Sequence, residues 1–301
     1  MRKALLRLFI FFSIIALADV GFRYLVGYLK NNAKGGTEQR AEYIANKMEA
    51  DVIIMGSSRG RHHYDPKIIE DSTGMSYYNC SLDGNGIVLM YGRYKMLSSR
   101  YNPKLVIYDV YQPYDIEQSD NTRFLPYLRP FYDRPGIDSI LWSVDEAERV
   151  KMVSYMYRYN SRLFELISDC LEPQETIDGY TPLEGTMQES KYTPPSTLRK
   201  LDKEADKLKL YYLERLIQAC KGKSKLVFVA SPYYGPNTYS SFKPLQKLCR
   251  KYDVPFYNFQ DNGFYNKHPE WFYDTSHLNE TGAKVWTKQI IHIIKQSTTN
   301  D

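Results

Sequence analysis

Five short strand-like runs recur along this chain, at residues 52–55, 75–79, 105–110, 226–230 and 255–259, and helical spacing fills the gaps between them. Val52, Ile53, Ile54 and Met55 form a continuous apolar stretch, as a strand buried on both faces requires. Between the runs, Ala41, Ile44, Ala45 and Met48 repeat at helical spacing, and so do Val88, Tyr91, Tyr94 and Leu97 in a helix over 87–101. A short helix is expected at 66–72. A longer one carries the stripe Leu198, Leu201, Ala205, Leu208, Tyr212, Leu216 and Ala219, and another lies around 239–252. A last helix turns Ala283, Trp286, Ile290 and Ile293 inward. Strands that alternate with helices predict an α/β fold, a three-layer α/β/α sandwich about a mainly parallel five-stranded sheet.

In open sheets of this kind chemistry gathers beyond the carboxyl ends of the strands. The first strand ends in Gly56-Ser57-Ser58-Arg59-Gly60, a tight turn followed by two hydroxyls. Ser57 and Ser58 read equally as turn or N-cap residues of the next helix. The second strand runs into Asp83-Gly84-Asn85-Gly86, and the third into Tyr111-Gln112-Pro113. More than two hundred residues after Ser58 stands Asp274-Thr275-Ser276-His277-Leu278-Asn279. A carboxylate three residues before a histidine can accept its Nδ1–H, which leaves Nε2 free as a base. Asn279 suits the N-cap of the last helix.

Taken together, Gly56-x-Ser58, the glycine loop after the second strand and Asp274-x-x-His277-Leu278-Asn279 resemble the SGNH (GDSL-like) hydrolase superfamily over residues 51–297. The resemblance implies an SGNH/flavodoxin-like sheet and a triad of Ser58, Asp274 and His277. It implies an oxyanion hole from Ser58 and Gly84, with Gln112 where the family carries asparagine. The Gly-Ser-Ser variant is similar to the membrane-anchored branch that handles O-acyl groups on envelope polymers. That implies a serine esterase or O-acyltransferase acting on acylated carbohydrate, with no cofactor and no metal. A non-catalytic polysaccharide-binding or assembly protein on the same fold is the alternative, and a lipid-directed esterase a further one.

Arg59, beside the nucleophile, is a candidate for binding an anionic substrate; solvated charge at a helix start is the other reading. His62, His63 and His268 lack the carboxylate spacing of a metal site, and His292 falls outside the apolar stripe of its helix.

The N-terminus adds a second constraint. Residues 8–18 are apolar apart from one serine and follow Arg2, Lys3 and Arg7. We read residues 1–30 as a single-pass anchor in the cytoplasmic membrane, or as a cleaved signal, with the remainder outside the cytoplasm. Arg7, Asp19 and Arg23 are costly inside a bilayer. Five basic residues against one acid place +4 of the chain's formal +5 in this segment, which leaves +1 for the body. No basic stripe remains to hold nucleic acid. Residues 31–50 are expected to form a linker and an amphipathic helix, and residues 114–197 a lid or substrate-recognition insertion with one long helix over 145–170. Tyrosine outnumbers phenylalanine 28 to 13, a bias that suits sugars, since each ring offers apolar area and a hydroxyl; a general compositional habit explains it equally. Cys80, Cys170, Cys220 and Cys249 form no C-x-x-C pair and are open to disulfides or buried thiols.

Overall fold

Each of the five runs contributes a strand, and all pair in parallel. The computed structural model describes residues 1–172, 176–187, 204–235, 241–260 and 263–298. Its elements begin with α1 (Arg2–Asn32), α2 (Gly36–Asn46), β1 (Val52–Gly56), α3 (Ser58–His63), α4 (Pro66–Thr73), β2 (Tyr77–Asn79), α5 (Ile87–Leu97) and β3 (Leu105–Asp109). There follow α6 (Gln112–Asp115), α7 (Ile137–Val144), α8 (Glu148–Lys151), α9 (Tyr155–Tyr159) and α10 (Leu163–Leu171). The chain then continues through α11 (Lys207–Cys220), β4 (Lys225–Ala230), α12 (Lys243–Tyr252), β5 (Phe256–Asn258) and α13 (Glu280–Thr298). It divides into two compact units, residues 1–43 with 122–175 and residues 44–121 with 176–301.

The second unit holds the sheet, in the order β2-β1-β3-β4-β5. Val52, Ile54, Leu105, Ile107, Val227 and Val229 share a core with Tyr64, Ile69, Trp286, Ile290 and Ile294 of the α3–α4 and α13 side. Because side chains alternate along a strand, Ile53, Val106, Tyr108 and Phe228 turn to the opposite face, toward α5 and α11. The three layers follow. Helix α5 is shorter than the expected 87–101 and is buried almost all round, with Lys95 alone of its residues half-exposed. It packs on the sheet and against α11 beside it, where the rings of Tyr91 and Tyr212 meet at 5.2 Å, so a single apolar stripe understates its burial. Helix α11 starts at Lys207, capped by Asp206, whose carboxylate accepts from the backbone N–H groups of Leu208 and Lys209. Leu198, Leu201 and Tyr239 of the expected helices lie outside the described residues. The four cysteines are thiols, three of them buried.

In the first unit α1 extends 31 residues and is long and apolar enough to cross a membrane. Its first half has no buried residue, while Val26 and Leu29 pack with Tyr159, Leu163, Leu166 and Cys170. Two of the costly charges of this helix, Asp19 and Arg23, find partners within the unit. Asp19 accepts from Ser154 Oγ (2.7 Å) and from the backbone N–H groups of Tyr155 (2.9 Å) and Met156 (2.8 Å). Arg23 lies 5.5 Å over the Tyr155 ring. The single helix expected over 145–170 is instead α8, α9, a 3₁₀ turn at Asn160–Arg162, and α10. Ser154 breaks it, because its hydroxyl accepts from Tyr157 N–H and donates to Asp19, a local bond that competes with helix continuation. The expected linker shrinks to residues 33–35. Beyond it a buried ion pair joins Glu38 to Arg162, whose guanidinium stacks 4.6 Å from the Tyr127 ring.

Candidate active site

The strand register brings Gly56 opposite Asp109, with Val229 opposite Asp109 in turn. Gly56 has φ +151°, and a Cβ there would sit 2.5 Å from the Asp109 carbonyl oxygen. Only glycine lets β1 end this close to β3 and release the chain sharply into α3. Ser57 precedes the helix in extended conformation and is buried, and Ser58 is the first residue of α3. Its Oγ lies 2.7 Å from Nε2 of His277.

The imidazole is held from its other side. His277 Nδ1 is 2.9 Å from both carboxylate oxygens of Asp274. Asp274 Oδ1 also accepts from the backbone N–H of Ser276 (2.8 Å) and of His277 (2.9 Å), and from the Ser276 hydroxyl (3.0 Å). Burial acts to raise the Asp274 carboxyl, but the hydrogen bond and charge of His277, with the Ser276 donors, hold it below the ordinary carboxylate range. It therefore stays ionised and fixes the proton on Nδ1, which leaves Nε2 to accept from Ser58. Asn279 caps α13 as expected, its Oδ1 accepting from Gly282 N–H at 3.0 Å. Its amide also donates to the carbonyls of Gly185 and Glu270, which ties the loop down.

His63 braces this loop, and nothing in its spacing announced it. Its Nε2 accepts from the backbone N–H of Leu278 at 3.0 Å, so the proton sits on Nδ1, which donates to Ser231 Oγ at 2.9 Å. Burial first, then the positive charge of Arg59, His277 and His62, pushes its pKa well below the usual histidine value. The ring is neutral and couples the end of β4 to the residue after His277.

Two of the expected site residues turn into the fold. Arg59, the candidate for substrate binding, is 1% exposed. Its guanidinium donates to Ser231 O at 3.0 Å and pairs with buried Asp109 at 3.4 Å, while Asp109 accepts from Tyr64 OH at 2.8 Å. The guanidinium sits at the carboxyl ends of β3 and β4, among Asp109, Val110 and Ser231, so the charge is spent inside the fold. Gln112, expected at the oxyanion, is fully buried and exchanges two amide hydrogen bonds with Gln260, at 2.9 and 3.0 Å. Its longer stem carries the amide across to Gln260, two residues past β5.

Gly84 sits at φ +66° in the loop after β2, and that loop is drawn to the start of α3. Leu82 N–H donates to Gly56 O at 3.2 Å, and Asp83 meets Arg61 at 2.9 Å and His62 at 3.3 Å. Burial acts to raise the Asp83 carboxyl, but the His62 hydrogen bond and the Arg61 charge bring it below its ordinary value. His62 Nδ1 reaches Thr181 O at 2.6 Å. His268 instead stacks on Trp271 at 3.8 Å and pairs with Glu270, so the three histidines of the weighed metal site have separate partners. No group of three metal-ligating side chains occurs among the described residues. His292 is exposed.

No protein-family model and no curated protein sequence matches the chain. Among solved structures it is similar to a two-domain esterase (CEX) active on acetylated mannans, with TM-score 0.39 and 12% identity over 90% of this chain. The match spans 57% of that longer protein. It is also similar to a putative GDSL-like lipase from Parabacteroides merdae, with TM-score 0.40 and 10% identity, covering 84% of this chain and 98% of the other.

Proposed function

We propose that the chain is a serine-dependent acyl-ester hydrolase or O-acyltransferase of SGNH type, anchored by α1 and acting outside the cytoplasm on acylated envelope carbohydrate. The observation that carries this reading is the continuous relay from Ser58 Oγ through His277 to Asp274, with links of 2.7 and 2.9 Å. Ser58 attacks the ester carbonyl while His277 Nε2 takes its proton, and Asp274 stabilises the imidazolium. Collapse of the tetrahedral intermediate breaks the bond to the alcohol oxygen, which leaves with the proton from His277. The acyl-serine then passes to water or to a sugar hydroxyl that His277 deprotonates. Backbone N–H groups of Ser58 and Gly84 are assigned to the oxyanion. Tyr273, exposed and adjacent to Asp274, offers a ring on which a sugar can stack.

The engagement of Gln112 with Gln260 favours one second reading, a polysaccharide-binding protein on this fold. A missing oxyanion donor costs about 3–4 kcal/mol of transition-state stabilisation. Turnover of para-nitrophenyl acetate by the full chain in detergent decides between them. Loss of activity by a factor of about 10⁴ or more in both Ser58→Ala and His277→Ala is expected of the enzyme. A folded wild-type protein with no turnover on this ester or on acetylated polysaccharide, but with measurable binding of the polysaccharide, is the result that would favour the binding reading instead.

A further inference from the structure

The first unit carries an apolar surface that this chemistry does not use. Around the turn from α8 into α9, Val150 is 77% and Val153 83% exposed, and Met156, in the first turn of α9, is also exposed. Arg149 and Lys151 flank Val150. Single exposed apolar residues are ordinary. These three are fastened to a particular height on α1, because Ser154 Oγ and the N–H groups of Tyr155 and Met156 all donate to Asp19.

That height is the informative quantity. A helix rises about 1.5 Å per residue, so Asp19 lies about 18 Å beyond Arg7 and about 24 Å beyond Lys3 along the axis. The hydrocarbon layer is about 30 Å thick, and any tilt of the helix shortens its reach. Whichever basic residue marks the cytoplasmic boundary, Asp19 falls short of the opposite one. The turn hydrogen-bonded to it falls short as well. By contrast, Cys170 bonds to the carbonyl of Leu29, about 39 Å beyond Lys3, which is clear of the layer.

We propose that the turn carrying Val150, Val153 and Met156 is embedded in the extracytoplasmic leaflet of the bilayer that α1 spans. The first unit is then a lipid-penetrating foot, in which Lys151 is paired with Asp145 at 2.8 Å and Arg149 lies over the Trp142 ring. Asp19 is tolerated at this depth because the turn enters the lipid with it and supplies its three donors. The inference rests on the reading of α1 as a spanning helix.

The test uses the full chain, with Cys170→Ser, reconstituted in phosphatidylethanolamine–phosphatidylglycerol vesicles. A nitroxide is attached in turn at Leu17→Cys, Val153→Cys, Leu171→Cys and Lys288→Cys, all exposed positions, and its relaxation by oxygen and by a water-soluble nickel chelate is compared. Oxygen is expected to dominate at positions 17 and 153, and the chelate at 171 and 288. Chelate dominance at 153 with oxygen dominance at 17 overturns the embedded turn and leaves the anchor standing. Chelate dominance at both 17 and 153 overturns the anchor and the embedded turn together.

Discussion

Replacing Arg59 with methionine, which keeps the length of the stem but removes the charge, separates a structural role from a substrate-binding one. The guanidinium is 1% exposed and Asp109 fully buried, so the change strands a carboxylate in the interior. Breaking a buried pair by removing one partner costs about 3–5 kcal/mol. Asp109 retains the Tyr64 hydroxyl at 2.8 Å and the Ser231 N–H at 3.4 Å, which places the cost nearer 3 than 5. That is a large share of a total stability of about 5–15 kcal/mol, and it lowers Tm by about 6–12 °C in a domain of this size.

Thermal unfolding of the full chain in detergent, followed by tryptophan fluorescence, reads the effect. Asp109→Asn and the double variant Arg59→Met/Asp109→Asn complete a cycle in which the double change costs less than the two singles together. An unchanged Tm with a raised KM for an anionic ester would refute the reasoning and return Arg59 to the substrate.

Burial pushes the Asp115 carboxyl up to about 6, against the hydrogen bonds it accepts from the Tyr111 backbone and Tyr108 OH and the charge of Lys209. A raised acid favours the protonated folded state, so its contribution, about 3 kcal/mol at most, is present below pH 4 and lost as pH rises through about 6. Comparing the pH dependence of urea unfolding for wild type and Asp115→Asn should show that slope in the wild type only; parallel curves would contradict it. Gly282→Ala would bring a Cβ within 2.1 Å of the Trp271 carbonyl oxygen. Backbone cannot yield cheaply there, and destabilisation of about 1–3 kcal/mol is expected, with native stability in the same unfolding assay as the contrary result.

Much of the fold was legible because each strand announces itself locally. Val52–Met55 is short, continuously apolar and bounded by turn residues, and five strand-like runs with helices between admit few arrangements. The Asp274–His277 bond was legible for the same reason, since three residues fix the reach. The inward turn of Arg59 and Gln112 was not legible because their partners, Asp109 and Gln260, lie 50 and 148 residues away. Local charge and chemistry then point outward by default. An acid at the end of a fully apolar strand, as Asp109 is in β3, was the signal available: a buried carboxylate demands a cation. The broken helix over 145–170 escaped for a related reason, since its apolar periodicity continues through Ser154 and only Asp19, 135 residues earlier, stops it.

His63 shows how far the site depends on groups that never meet a substrate. Its neutral ring holds Leu278 N–H and Ser231 Oγ at once, so protonation would turn the acceptor nitrogen into a donor facing a donor. The folded-state pKa is depressed, which makes the stabilisation fully present above the unfolded value of about 6.5 and lost as pH falls below it. Asp115 pulls in the opposite sense, and variants at the two positions resolve them. His63→Gln can keep one of the two bonds through its amide but has no ring to span both. The expected result is a kcat reduced by about 10-fold to 100-fold, the range a small misplacement of the base produces, with KM little changed. The acid limb of the stability profile flattens, while Ser231→Ala reproduces part of the kcat loss without altering that limb. A His63→Gln enzyme with wild-type kcat and an unchanged acid limb would mean that the loop carrying His277 is held by Asp274 and Asn279 alone.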